Sequence, residues 1–123
     1  MKPSSLSPAA SPKPLTVALA GNPNVGKSTI FNALTGMHQH TGNWPGKTVA
    51  LAQGTCRYKD TEIRLVDLPG TYALVSKSQE EALAAGFVSG GEADCVIAVC
   101  DATSLERSLI LALQVLELTD RAF

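Results

Sequence analysis

The feature that most constrains this chain is the stretch Gly21-Asn22-Pro23-Asn24-Val25-Gly26-Lys27-Ser28, which satisfies the pattern GxxxxGK[ST]. Before it lies a compact apolar run, Leu15 to Ala20, too short for a helix and suited to a buried central strand. After it, from Lys27, the residues Ile30, Phe31 and Leu34 recur at helical spacing, and Gly36 supplies a stop. A strand, a glycine turn and a helix in that order let the backbone wrap closely around phosphate groups. Successive amides and the helix N-terminus then direct positive partial charge inward. In that setting Lys27 neutralises the outer phosphates, the Ser28 hydroxyl ligates Mg²⁺, and Thr29 adds a hydroxyl contact to the inner phosphate.

Beyond the loop the chain alternates in character. Residues 37 to 47 hold His, Gly, Asn, Trp and Pro without periodicity and read as a loop. Thr48 to Tyr58 and Glu62 to Asp67 read as strands joined by a turn at Lys59-Asp60-Thr61. Gln79 to Val88 reads as a helix ending before Gly90-Gly91, and Asp94 to Asp101 as another buried strand. The last element opens with Thr103 and Glu106 spaced as a capping box, followed by Leu105, Leu109, Ala112, Leu113 and Leu116. Alternation of this kind predicts an α/β sheet with helices on both faces and a ligand at the carboxyl ends of the strands. One antiparallel strand is compatible with such a mixed sheet.

With 123 residues, 45% of them hydrophobic, there is room for one domain with a modest core. Ten Lys plus Arg against eleven Asp plus Glu leave a formal charge of −1, which argues against a broad footprint for nucleic acid or anionic lipid. No apolar run approaches the roughly 20 residues of a membrane span. Met1 to Pro14 carries four Ser and four Pro with no apolar run, and residues 1–14 are expected to form a disordered tail before a domain over 15–123. Cys56, Cys95 and Cys100 form no CxxC pair and are expected to be small buried thiols.

A phosphate loop of this class works with a second metal anchor at the end of a neighbouring strand. Asp67, which closes Ile63-Arg64-Leu65-Val66-Asp67, stands there, and in Asp67-Leu68-Pro69-Gly70 the amide of Gly70 can reach a terminal phosphate. A loop threonine is expected to complete the Mg²⁺ shell when that phosphate is present, and spacing leaves both Thr41 and Thr48 as candidates. His38 and His40 lack a third ligand at recognisable spacing and read as surface histidines. Trp44, the only tryptophan, either packs locally or faces a partner.

Three segments carry a family resemblance: Gly42-Asn43-Trp44-Pro45-Gly46-Lys47-Thr48-Val49, Asp67-Leu68-Pro69-Gly70-Thr71-Tyr72-Ala73-Leu74 and Asp101-Ala102-Thr103-Ser104-Leu105-Glu106-Arg107-Ser108-Leu109. Together with the phosphate loop they resemble the cytoplasmic G domain of FeoB-type ferrous iron transporters, over about Leu15 to Leu118. The resemblance implies a P-loop NTPase of Ras-like GTPase fold, binding GTP or GDP with Mg²⁺ and gating Fe²⁺ uptake through a membrane domain of the same parent chain. It also implies that Gly46, Lys47 and Thr48 belong to the first switch, with Thr48 the Mg²⁺ ligand. Asn24 is then the side chain that holds an activating K⁺, which would offset charge in the transition state as an arginine finger does.

Ras-like GTPases place a water-orienting glutamine after the DxxG glycine; here that position is Thr71, so no general base is named. The guanine-reading NKxD motif does not occur, so guanine specificity rests on the resemblance alone. The sequence is expected to be the N-terminal part of a longer G domain, incomplete at its C-terminus. A bare apolar edge on the Asp94–Asp101 strand would then invite self-association. A free-standing ribosome-assembly or tRNA-modification GTPase shares the phosphate loop and is the alternative. A non-catalytic pairing module and an ATPase are weaker ones.

Overall fold

In the computed structural model, residues 14–23, 25–36, 39–43, 50–74 and 78–123 are described. The strands are β1 (Leu15–Gly21), β2 (Gln39–Asn43), β3 (Ala50–Tyr58), β4 (Thr61–Asp67) and β5 (Cys95–Val99). The α-helices are α1 (Lys27–Thr35), α2 (Gln79–Ser89) and α3 (Leu105–Leu118), with a 3₁₀ turn over Ala102–Ser104 leading into α3. The sheet order is β2-β3-β4-β1-β5. β1 pairs in parallel with β4 on one side and β5 on the other, while β3 is antiparallel to both β2 and β4. This is the expected mixed α/β sheet.

The two-residue alternation of β1 sorts the core into two layers. Val17 and Leu19 join Phe31 of α1 and Leu65 of β4 on one face. Ala18 and Ala20 join Val66, Phe87 of α2, and Leu111 and Val115 of α3 on the other. The carboxyl ends of β1 and β4 therefore emerge side by side, between helices on opposite faces.

Several expectations need correction. The stretch from residue 39 to 43 is a strand, not a loop: it pairs with β3 from Gln39↔Gly54 to Asn43↔Ala50. Its polar sequence carries no alternation because it lies at the sheet's edge. In α1 the buried positions are Lys27, Phe31 and Thr35, whereas Ile30 and Leu34 are 38% and 48% exposed. In α3 the buried face is Ser108, Leu111 and Val115, and Leu105, Leu109, Leu113 and Leu116 face outward. Apolar residues on both sides of α3 leave periodicity unable to choose the inner face.

Thr103 does not cap α3. Instead the Asp101 carboxylate accepts from both the backbone amide and the hydroxyl of Thr103, starting the 3₁₀ turn. The strand expected over Asp94 to Asp101 is shorter, so Cys100 lies beyond it and is exposed; Cys56 and Cys95 are only half-buried, and all three are free thiols.

The outer edge of β5 is not bare. Arg121 and Phe123 carbonyls accept from the Val96 and Ala98 amides at 3.0 and 2.9 Å, and the Phe123 amide returns a bond to Val96 at 2.8 Å. Pairing of copies through that edge thus loses its stated basis. At the opposite side of β5, Asp94 braces the start of the strand against β1. Its carboxylate accepts from the Thr16 amide at 2.7 Å, and its own amide donates to the Thr16 carbonyl at 2.7 Å. Among the described residues no helix is long and apolar enough to cross a membrane.

Candidate functional site

Where β1 ends, the chain turns through Asn22 and Pro23 and re-enters a helix at Gly26, whose φ of 90° lies in the left-handed region that favours glycine. This turn and the first turn of α1 enclose a cleft of about 490 Å³ lined by Asn22, Pro23, Gly26, Lys27, Ser28, Thr29 and Gly70. Five of these seven come from the phosphate-loop motif, Thr29 follows it on α1, and Gly70 comes from the segment after β4, so the structure brings the two sequence motifs to one place. Ser28 and Thr29 are exposed on the first turn of α1, where unpaired backbone amides and the helix dipole favour an anion.

The β4 exit is fixed by backbone bonds. The Leu68 amide donates to the Leu19 carbonyl and the Thr71 amide to the Gly21 carbonyl, both at 3.1 Å. These bonds lay Gly70 directly against the phosphate loop: a Cβ there would stand 3.0 Å from Pro23 Cα and 3.1 Å from Pro23 N. Glycine at this position is required by close approach, since its φ is not in the left-handed region.

Lys27 ties both sides together. Its side chain is buried, and its ammonium donates to the Asp67 carboxylate and, at 2.9 Å, to the Leu68 carbonyl. Asp67 is itself mostly buried, with a side chain 15% exposed. An ammonium has three donors, so these two bonds leave one for a ligand in the cleft. Buried charge of this kind is tolerated because each partner satisfies the other.

Other assigned residues fall as follows. Gly21 closes β1, Val25 is half-buried in the turn, and Pro69 lies half-buried between Leu68 and Gly70. Thr41 is built into β2 opposite Ala52, and His40 is exposed in the same strand. Thr71 is 6% exposed, so its hydroxyl is not offered to the cleft as a glutamine would be. Asn24, His38, Trp44, Gly46, Lys47 and Thr48, and with them the K⁺ site and the first switch, lie outside the described residues. Asn22 is 3% exposed, and its Oδ1 has no hydrogen-bond partner among the described residues.

Two residues that sequence reasoning missed touch the segment after Gly70. Gln114 Oε1 accepts from the Leu74 amide at 2.5 Å, and the Arg107 guanidinium lies 5.2 Å from the centroid of the Tyr72 ring. The only signal of the first was a carboxamide interrupting the leucine-rich run of α3.

Comparison with known proteins gives a consistent result. A family model described as ferrous iron transport protein B matches residues 15–122. The Fe(2+) transporter FeoB of Methanocaldococcus jannaschii is 48% identical over 106 residues, which is 86% of this chain and 16% of that transporter. The chain therefore spans about one-sixth of that relative's length. The crystal structure of the G domain of the T. maritima FeoB iron transporter superposes with a TM-score of 0.83 at 47% identity, covering 89% of this chain and 69% of that one. The cytosolic domain of the same transporter in its GMPPNP form gives a TM-score of 0.78 at 50% identity, covering 84% of this chain and 41% of that one.

Proposed function

The chain belongs to the ferrous iron transport protein B family, and on that premise we propose that it is a GTP-binding and GTP-hydrolysing switch module serving Fe²⁺ uptake. The observation that carries this reading is the meeting of Lys27, itself bonded to Asp67, and Gly70 at one cleft at the N-terminus of α1. A relative solved in a GMPPNP form supports a guanine nucleotide as the ligand. The nucleotide's phosphates lie along the loop from Gly21 to Ser28, with Thr29 on the inner phosphate and the Gly70 amide toward the terminal one.

The donor set fits Mg²⁺. A hydroxyl on Ser28 and a carboxylate on Asp67 are hard oxygen ligands, and magnesium commonly takes only one or two protein groups beside phosphate and water. When bound, Mg²⁺ supplies neutralisation of phosphate charge and orients the terminal phosphoryl group. Lys27 then shifts its ammonium from Asp67 toward the outer phosphates, which leaves the Asp67 carboxylate to the metal. On the family resemblance Thr48 of the first switch would complete the Mg²⁺ shell, Gly46 and Lys47 beside it would contact the nucleotide, and Asn24 would hold K⁺. With Thr71 buried, no side chain at that position orients water, so hydrolysis relies on backbone groups and on charge stabilisation, and is slow without help.

We place this module at the cytosolic face of a cell membrane, acting on a membrane transport domain of a longer parent chain. The family match disfavours the ribosome-assembly and tRNA-modification alternative. The test is binding of fluorescent GDP with Mg²⁺, competed separately by GTP and ATP, in K⁺ and then Na⁺. Competition by GTP but not ATP, lost in Lys27→Ala, is the expected result. Equal competition by both nucleotides would refute guanine selectivity for this chain, and binding unaffected by Lys27→Ala would refute the cleft as the site.

A further inference from the structure

The segment that follows Gly70 is held from two sides. On one side the Thr71 amide is bonded to the Gly21 carbonyl of the phosphate loop, 3.1 Å away. On the other, α3 takes hold of it twice: Gln114 Oε1 accepts from the Leu74 amide, and Arg107 stacks on Tyr72. Leu74 also packs its side chain against the core layer shared by α2 and α3. Gly70 thus stands between a strand-borne anchor at Leu68 and a segment held at Thr71 by the phosphate loop and at Leu74 by α3.

We propose that Gln114 is a positioning residue that sets where the Gly70 amide stands relative to the terminal phosphate of the bound nucleotide. The inference rests on the reading of the cleft as a nucleotide site. Gln114 lies 40 residues from Leu74 in sequence, on a helix that contributes no side chain to the cleft lining. It acts through the backbone: releasing the Leu74 amide frees residues 71–74 to rotate about the Thr71 anchor. The Thr71-to-Gly21 bond is then left to hold Gly70 in register against Pro23 on that side, and the amide of Gly70 is aimed into the cleft less tightly. Arg107 supports the same segment more weakly, since an exposed cation–π contact is the smaller of the two restraints.

Positioning differs from mere support in what it discriminates. The diphosphate is held by the loop and α1, whereas only the terminal phosphate meets Gly70. Loss of Gln114's acceptor therefore weakens a triphosphate more than a diphosphate. Gln114→Met keeps the volume and removes the acceptor, while Gln114→Glu keeps an acceptor oxygen at the same reach.

The experiment measures dissociation constants of fluorescent GDP and a fluorescent non-hydrolysable GTP analogue on this chain with Mg²⁺, alongside amide exchange at Leu74. Gln114→Met is expected to weaken the analogue about five-fold with GDP within about two-fold, and to speed Leu74 exchange; five-fold corresponds to about 1 kcal/mol. Gln114→Glu is expected to restore all three. Equal weakening of both nucleotides, an unchanged ratio, or no rescue by Gln114→Glu overturns the inference. Failure of the unaltered chain to bind either nucleotide overturns the nucleotide reading itself and this inference with it, and the unaltered chain alone reveals that outcome.

Discussion

Two glycine-to-alanine substitutions test the packing of the site with opposite expected signs. At Gly70 an added Cβ meets Pro23 Cα at 3.0 Å, Pro23 N at 3.1 Å and Pro23 Cγ at 3.3 Å. Two of these are backbone atoms of the phosphate loop, which cannot rotate aside. Ordinary carbon contacts stand at about 3.5–4.0 Å, so the two segments must part by roughly 0.5 Å or more. The Thr71-to-Gly21 hydrogen bond, already 3.1 Å long, opposes that movement. Overpacking of this kind costs about 1–3 kcal/mol, and the lower half of the range applies because Gly70 is exposed on its other side. In α2, by contrast, a Cβ on Gly86 meets nothing within 4 Å. There alanine gains about 0.5–1 kcal/mol from helix propensity and reduced unfolded-state entropy.

Thermal unfolding is the assay, at roughly 4–8 °C per kcal/mol for a domain near this size. Gly70→Ala is expected to lower Tm by roughly 4–16 °C and to weaken a GTP analogue more than GDP, while Gly86→Ala raises Tm by a few degrees. A Gly70→Ala chain as stable as the parent and binding the analogue equally well would refute the close approach of the β4 exit to the phosphate loop. The Gly86 variant guards against a general intolerance of alanine. If it too is destabilised, the steric argument fails at both positions.

Three further outcomes follow from individual groups. Ser78 caps α2 by accepting from the Glu81 amide at 3.1 Å, so Ser78→Ala should cost about 1 kcal/mol in denaturant unfolding and leave nucleotide affinity unchanged. The hydroxyl of Thr103, then its amide, hold the Asp101 carboxyl below its ordinary pKa. The depressed group adds stability that is complete above its unfolded value of about 4 and is lost as pH falls through the folded value. The Tm advantage over Asp101→Asn should therefore shrink only on acidification below about pH 4, and an advantage constant into stronger acid would contradict it. Burial, and secondarily the nearby Asp94 charge, raises the Cys95 thiol pKa, so mass spectrometry at mildly alkaline pH should show exposed Cys100 alkylated well before Cys95.

What was legible in the sequence is what the backbone itself demands. Gly26 at a left-handed φ and Gly70 in backbone contact with Pro23 are positions where a side chain is refused, and such refusals appear as glycines at fixed offsets. The buried strands β1 and β5 were readable for a related reason, since a strand covered on both faces must be apolar throughout. Strand β2 escaped because nothing local specifies it. Gln39 to Asn43 are polar, and they are extended because β3 offers a partner edge. The inward faces of α1 and α3 were misread because apolar residues populate both sides of each helix, and the buried positions include Lys27, Thr35 and Ser108, polar residues no apolar pattern would select.

The site divides along the same line. Lys27 and Asp67 could each be assigned to the site from its own motif, because a loop around phosphates leaves few places for a cation and a carboxylate; their direct ion pair emerges only from the fold. Gln114 could not. A carboxamide on a helix is compatible with solvent, and what makes it matter is a backbone amide 40 residues earlier, brought under α3 by the packing of Leu74 and Leu111 into one layer. Recognition of the ligand is thus written in residues that the backbone constrains locally. The control of its third phosphate is assigned to a contact that exists only after the sheet has brought β4 and α3 together.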